Sequence, residues 1–422
     1  MIKLQYVFVY ILGLAPIIGY ISVNYFDVAY YNLLSLIVSL IFISLLLNTL
    51  NNSTKIILPK YLIYFMCFVL YTIFSDILLV GKTVNIRYYY SNHLIASLLA
   101  MIIIENTFFS KQFINRLNRI NYSILVLAFI IILLQQVISP TLLTNISSSY
   151  YRTISESYSQ HESRLLSIYS WTSILDIGFG FIGISTLMIS QRLKNNRNII
   201  ITSLFVIFVF IFSIITKWRW IMVNSVFILL LILIKYKSSF RKIMIYSIIL
   251  FGGLILCYNV MENLGIPIKD IIEKRILESE SGGFLGGSSN TRILAFVIFA
   301  KLFPDNPIFG KGMMHSFEGK SKDIKLSRMI KGNTSQIHVG YLSCLYYYGI
   351  VGFIPFIFFI INLESRMRGH AKSTGDWGPH FVLLGFIVSN FTLVNFSYIY
   401  FGLLICLVNY KYSLDISNIS IR

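Results

Sequence analysis

Apolar residues in this chain come in long blocks separated by short polar breaks, not in the narrow stripes of a soluble helix or the alternation of a half-buried strand. An α-helix needs about 20 mainly apolar residues to cross the hydrocarbon core of a bilayer. Twelve blocks reach or approach that length: 4–23, 29–49, 61–80, 88–105, 121–139, 170–190, 199–216, 221–235, 243–261, 337–362, 379–394 and 396–410. The pattern predicts an all-α fold, a polytopic transmembrane helical bundle of about 12 spans. Residues 1–261 would hold spans 1–9, and 337–422 spans 10–12 with a cytoplasmic tail. Helix-to-helix connections usually take about 2 to 8 residues. Two outside segments far exceed that: a minor periplasmic loop at 140–169 and a large one at 262–336, between spans 9 and 10.

The larger segment has its own pattern. Pro267 can start an amphipathic helix to Leu277, with Ile268, Ile271, Ile272 and Ile276 on one side and Glu273 and Lys274 outward. Four glycines between Gly282 and Ser289 make a flexible break. Ser289 or Asn290 can then cap a second helix, Thr291–Phe303, with Arg292 in its first turn and Ile293, Phe296, Val297 and Ala300 as its apolar stripe. Pro304, Pro307, Gly310 and Gly312 predict a tight turn after it.

Composition agrees with the pattern. Charged residues are 12% of the chain and apolar ones 56%, whereas soluble domains carry about a quarter charged residues. A net charge of +18 would suggest nucleic acid in a soluble protein. Here the basic residues cluster between apolar blocks, which reads as topology and excludes a nucleic-acid partner. With the N-terminus inside, eighteen of the 35 Lys and Arg fall in cytoplasmic segments and six in short outside loops. The other eleven lie between 262 and 336, and long translocated segments do not count in the positive-inside rule. The expected location is therefore an inner membrane, with both termini cytoplasmic. The first block is followed by no small-residue cleavage pattern and reads as a retained helix. Trp171, Trp218, Trp220 and Trp377 all fall at expected span ends, where an indole ring suits the headgroup layer. The four cysteines lie in apolar blocks with no metal-ligand spacing, so free thiols and no metal or other cofactor are expected.

Candidate chemistry gathers at the outer ends of the spans. Lys217-Trp218-Arg219-Trp220 connects spans seven and eight, Arg292 sits in the large loop, and His338 stands where that loop re-enters the bilayer. A planar guanidinium can grip two phosphate oxygens at once, and two arginines can hold a pyrophosphate. Arg219 between two tryptophans is also what an interfacial anchor looks like. A His near a helix start is commonly structural, yet its ordinary pKa suits proton transfer near neutrality. Tyr341, one turn on, can share its face. Asp76 reads as a hydrogen-bonded interhelical residue, while Asp176, at the start of span six beside the 140–169 loop, is the better functional candidate. No internal repeat is visible.

The constellation resembles the bacterial O-antigen polymerase and O-antigen ligase superfamily. The resemblance rests on Thr291-Arg292 with its apolar helix, Pro307-Ile308-Phe309-Gly310-Lys311-Gly312, Ile337-His338-Val339-Gly340-Tyr341-Leu342, and Tyr348-Gly349-Ile350-Val351-Gly352. Val339 stands where the family often has Asn. The resemblance implies a GT-C-like fold and an inverting, metal-independent glycosyltransferase with its active site at the periplasmic face. The donor would be undecaprenyl-pyrophosphate-linked glycan and the acceptor a sugar hydroxyl. Arg219 and Arg292 would hold the pyrophosphate and His338 would orient or deprotonate the acceptor, with Lys217, Tyr341 and Asp176 as substrate-binding residues. The polymerase is expected before the ligase, which transfers to lipid A-core, with membrane lipid and a chain-length regulator protein as partners. A lipid-linked sugar transporter or flippase is the reading from another class. It predicts helices broken near mid-membrane, with ionisable residues buried there.

Overall fold

The computed structural model of the chain describes residues 4–26, 37–46, 56–80, 94–138, 142, 174–195, 209, 219–236, scattered positions between 245 and 263, 288–312, 337, 339–391 and 401–420. Among these the structure is helical, with no strand. In chain order the helices are α1 (Leu4–Gly13), α2 (Ala15–Phe26), α3 (Ile37–Leu46), α4 (Lys60–Val80), α5 (Leu94–Glu105) and α6 (Lys111–Val137). They continue with α7 (Ile174–Lys194), α8 (Arg219–Lys235), α9 (Ser288–Leu302), α10 (Gly340–Thr374), α11 (Gly378–Ser389) and α12 (Phe401–Ser420).

Lys60–Leu78, Lys111–Gln135 and Gly340–Thr374 are long and apolar enough to cross a membrane. Their surfaces say the same. On α4, Ile63, Leu70, Phe74, Ile77 and Leu78 are all exposed at helical spacing, while Tyr61, Phe65, Phe68, Val69 and Asp76 are buried on the other side. A helix in water would place polar residues on that outer stripe; one that leaves it apolar is suited to lipid.

Several helices outrun their apolar blocks. α6 starts at Lys111, where Ser110 caps it by accepting from the Phe113 amide at 3.2 Å. α10 runs to Thr374, and α12 to Ser420. Hydropathy marks where a helix leaves lipid, whereas backbone bonding and caps decide where it stops. Blocks 199–216 and 243–261, and the helix expected over Pro267–Leu277, lie wholly or largely outside the described residues.

The central pair is α4 packed along α10. Phe65 meets Phe359 with ring centroids 4.8 Å apart, and Phe68 meets Phe356 at 5.2 Å. A second group joins α7, α8, α11 and α12. At one end of the bundle a buried ionic node ties the two groups together. Tyr61 donates to Glu105 Oε1 at 2.6 Å, Arg366 Nη2 lies 3.7 Å from Glu105 Oε2, and the guanidinium sits over the rings of Tyr61 and Tyr410. Nearby, His380 Nε2 and Arg368 Nε both reach Glu364 Oε1, at 3.0 and 3.3 Å.

α10 is not continuous. Gly349 has φ 61° and ψ −170°, a region open in practice to glycine alone. In an unbroken helix the amides of Ile350 and Val351 would donate to the carbonyls of Tyr346 and Tyr347. Here residues 307–312 enter between them. The Tyr346 and Tyr347 carbonyls accept from the Lys311 and Gly312 amides at 3.2 and 2.8 Å, and the Ile350 and Val351 amides donate to the Pro307 and Ile308 carbonyls at 2.9 and 3.1 Å. Two helical bonds are exchanged for four across the break, so all four of these backbone groups have partners. Non-helical backbone at membrane depth is tolerated only where protein satisfies it in this way.

The fit admits no side chain at the crossing. A Cβ on Gly349 would lie 2.3 Å from the Ile308 carbonyl oxygen, and one on Gly310 (φ 75°) equally close to that of Tyr347. α4 closes the arrangement from behind. Tyr71 Oη donates to the Phe309 carbonyl at 2.9 Å, and its ring lies against Gly352, where a Cβ would come within 2.7 Å of it. Lys311 Nζ bonds Asp305 Oδ2 at 2.8 Å and stands near the Tyr346 ring.

α9 corrects one expectation. It begins at Ser288, three residues before Thr291, which makes Arg292 its fifth residue and takes it out of the first turn. The expected apolar stripe is exposed where its side chains are described. Phe296, Val297 and Ala300 are exposed, while Ala295 and Ile298 are buried. The small Ala295 and the β-branched Ile298, three residues apart, form the narrow buried seam, and α9 packs on α10.

Candidate functional site

Ile337 and Val339 are both buried and flank His338, which lies outside the described residues. Val339 is extended (φ −122°, ψ 117°) and leads into α10. The Gly340 amide donates to the Asn390 carbonyl at 2.8 Å, pinning the start of α10 to the end of α11. Tyr341 adds a second tie: its hydroxyl donates to the Ile387 carbonyl at 2.9 Å, and its ring meets Phe391 edge-on at 4.8 Å. Tyr341 is therefore engaged with α11 in this structure, with the oxygen lone pairs of its hydroxyl left to accept a bond.

Two polar residues at this junction were not singled out from the sequence. Asn390, fully buried, caps α11; its Nδ2 donates to the Phe386 carbonyl at 2.9 Å, and its Oδ1 has no partner among the described residues. Ser343, one turn into α10, is likewise buried with its Oγ unpartnered among those residues. An Asn inside the apolar block 379–394 was the available signal, because an amide in such a block needs a reason to be there.

Arg219 opens α8, one turn before Val223 in a register continued by Val226, Leu230 and Ile234, all exposed. Asn224 and Ser225 lie on the buried side of the same helix, and Asn224 approaches Gly385 of α11. Arg292 is the fifth residue of α9, and Asp176 the third of α7. Only the backbones of Arg219, Arg292 and Asp176 are described, and Lys217 lies outside the described residues. Asp76 is completely buried and has an interaction partner. Cys67, Cys344 and Cys406 are free thiols, and Cys257 lies outside the described residues.

The fold and its apolar outer stripes define a helical membrane protein. Residues 193–357 match the family model described as O-antigen ligase, and this supports placing the chain in the O-antigen polymerase and ligase superfamily. The matched stretch contains Lys217, Arg219, Arg292, His338 and Tyr341 together with both crossing glycines; Asp176 and Tyr71 fall outside it. Members of that superfamily are glycosyltransferase-like enzymes of surface polysaccharide synthesis. No curated protein matches the chain.

Proposed function

We propose that the chain is a polymerase of O-antigen or a related surface polysaccharide. In this reading it transfers a growing glycan from undecaprenyl pyrophosphate to a sugar hydroxyl of a new lipid-linked repeat unit, at the periplasmic face. The observation that carries it is the family match over 193–357, which holds Arg219, Arg292 and His338 in one segment.

The acceptor oxygen attacks the anomeric carbon from the side opposite the leaving group. A new C–O bond forms as the bond to pyrophosphate breaks, its electron pair leaves with the phosphate oxygen, and the anomeric configuration inverts. His338 takes the hydroxyl proton. Arg219 and Arg292 offset the charge growing on the pyrophosphate, as fixed cations can do without a metal ion. Lys217, Tyr341 and Asp176 contact substrate. The exposed apolar register of α8, Val223, Val226, Leu230 and Ile234, suits a substrate arriving by its lipid tail from the bilayer side.

Ligation to lipid A-core is the second reading, favoured by the description of the matched family. The break at Gly349 is the feature expected of a transporter. Its backbone groups are taken up by residues 307–312 and not left open toward a pathway, which weighs against that class. Surface polysaccharide from a deletion strain separates the readings. The polymerase predicts lipid A-core carrying a single repeat unit. Bare core with accumulated lipid-linked polymer indicates the ligase, and unchanged glycans would refute both.

A further inference from the structure

Arg292 and His338 each lie a short way up the chain from one of the two stretches that cross at Gly310 and Gly349. From the crossing, α9 leads back from Leu302 to Arg292, ten residues or about 15 Å of helix, and α10 leads back from Gly349 to Gly340, nine residues or about 13 Å. His338 is two residues further on. α9 and α10 pack on each other, and α9 and the first part of α10 both lead along the chain to the crossing. Whatever fixes the crossing fixes α9 against the first part of α10.

We propose that the Gly310–Gly349 crossing is a static brace that sets the Arg292 arm against the His338 arm, which makes Gly310, Gly349 and Tyr71 positioning residues of the transfer reaction. The proposal rests on the glycosyl-transfer reading of the site. Three observations carry it. The exchange of backbone bonds is reciprocal, so sliding either strand by one residue would leave four groups unpaired in a low-dielectric setting. Each glycine is packed against the other strand's carbonyl, with no room for a methyl group. Tyr71 reaches the crossing from α4, the helix most extensively packed on α10, and so ties the brace to the bundle. A hinge would need slack, and the crossing has none.

The test uses the full-length protein in membranes. Ile308 and Val351 are both exposed and joined by a backbone hydrogen bond, so the double variant Ile308→Cys/Val351→Cys should form a disulfide with copper phenanthroline. Loss of two thiols to PEG-maleimide, reversed by reductant, reads it. A static brace predicts cross-linking with glycan chain length unchanged. No cross-link would overturn the crossing itself, and a cross-linked protein that is inactive until reduced would show a gate in its place. Tyr71→Phe keeps the ring and removes one bond. Misplacing reacting groups by a fraction of an ångström should lower kcat per folded molecule roughly 10-fold, with KM for the lipid-linked repeat unit near wild type. An unchanged kcat would remove Tyr71 from the positioning set and refute its part in the brace. Failure of the underlying reading shows differently: Arg292→Ala would keep normal glycans while the cross-link still formed.

Discussion

Gly349→Ala should leave little folded protein in the membrane. Its φ 61° and ψ −170° cost a residue with a Cβ about 1–3 kcal/mol in backbone strain. The added methyl would also press on the Ile308 carbonyl from 2.3 Å, closer than van der Waals contact permits. The strands would have to part, and the Ile350 and Val351 amides would lose their partners where no water replaces them. Gly375→Ala is the control. Gly375 is also left-handed (φ 72°) but caps the far end of α10 with nothing within 4 Å of a new Cβ. It should cost about 1–2 kcal/mol and leave the protein amount near wild type. Membrane levels and thermal aggregation in detergent measure both. Equal behaviour of the two variants would contradict the crossing.

Arg292→Ala and His338→Ala should each abolish long glycan chains while the protein inserts normally. Losing a preorganised cation that meets developing charge costs about 100- to 1,000-fold in rate, and losing a general base costs about 100- to 10,000-fold. A polymer adds many units in succession, so either loss removes the upper part of a surface-glycan ladder. Arg292→Lys should recover only a fraction of the chain length, since an ammonium lacks the planar fork. A normal ladder from Arg292→Ala or His338→Ala would remove that residue from the site.

Much of the scaffold was legible in the sequence because lipid imposes one rule on every helix: about 20 apolar residues, with polar breaks at the ends. That rule located the cores of α4, α7, α8 and α10. It was silent on where α6, α10 and α12 continue beyond lipid, since there capping and packing take over. The α9 stripe was legible as apolar, but the way it faces was not. Periodicity identifies an apolar face but not the way it turns, and Phe296 and Val297 are exposed while Ala295 and Ile298 are buried. The turn after α9 was readable from Pro304, Pro307, Gly310 and Gly312. Its partner was not, because the Gly349 break is paired with residues about forty positions earlier, and a sequence does not display pairing at that distance. Asn390 and Ser343 were missed similarly: their interest comes from α11 ending beside the start of α10.

Reconstitution tests the proposed chemistry most directly. Purified protein in vesicles would be given undecaprenyl-pyrophosphate-linked repeat units extracted from the source strain, with EDTA present and no other protein. The expected result is a ladder of longer lipid-linked glycans, with one undecaprenyl pyrophosphate released for each new glycosidic bond. Repeat units left unextended by folded, inserted protein would contradict the polymerase assignment.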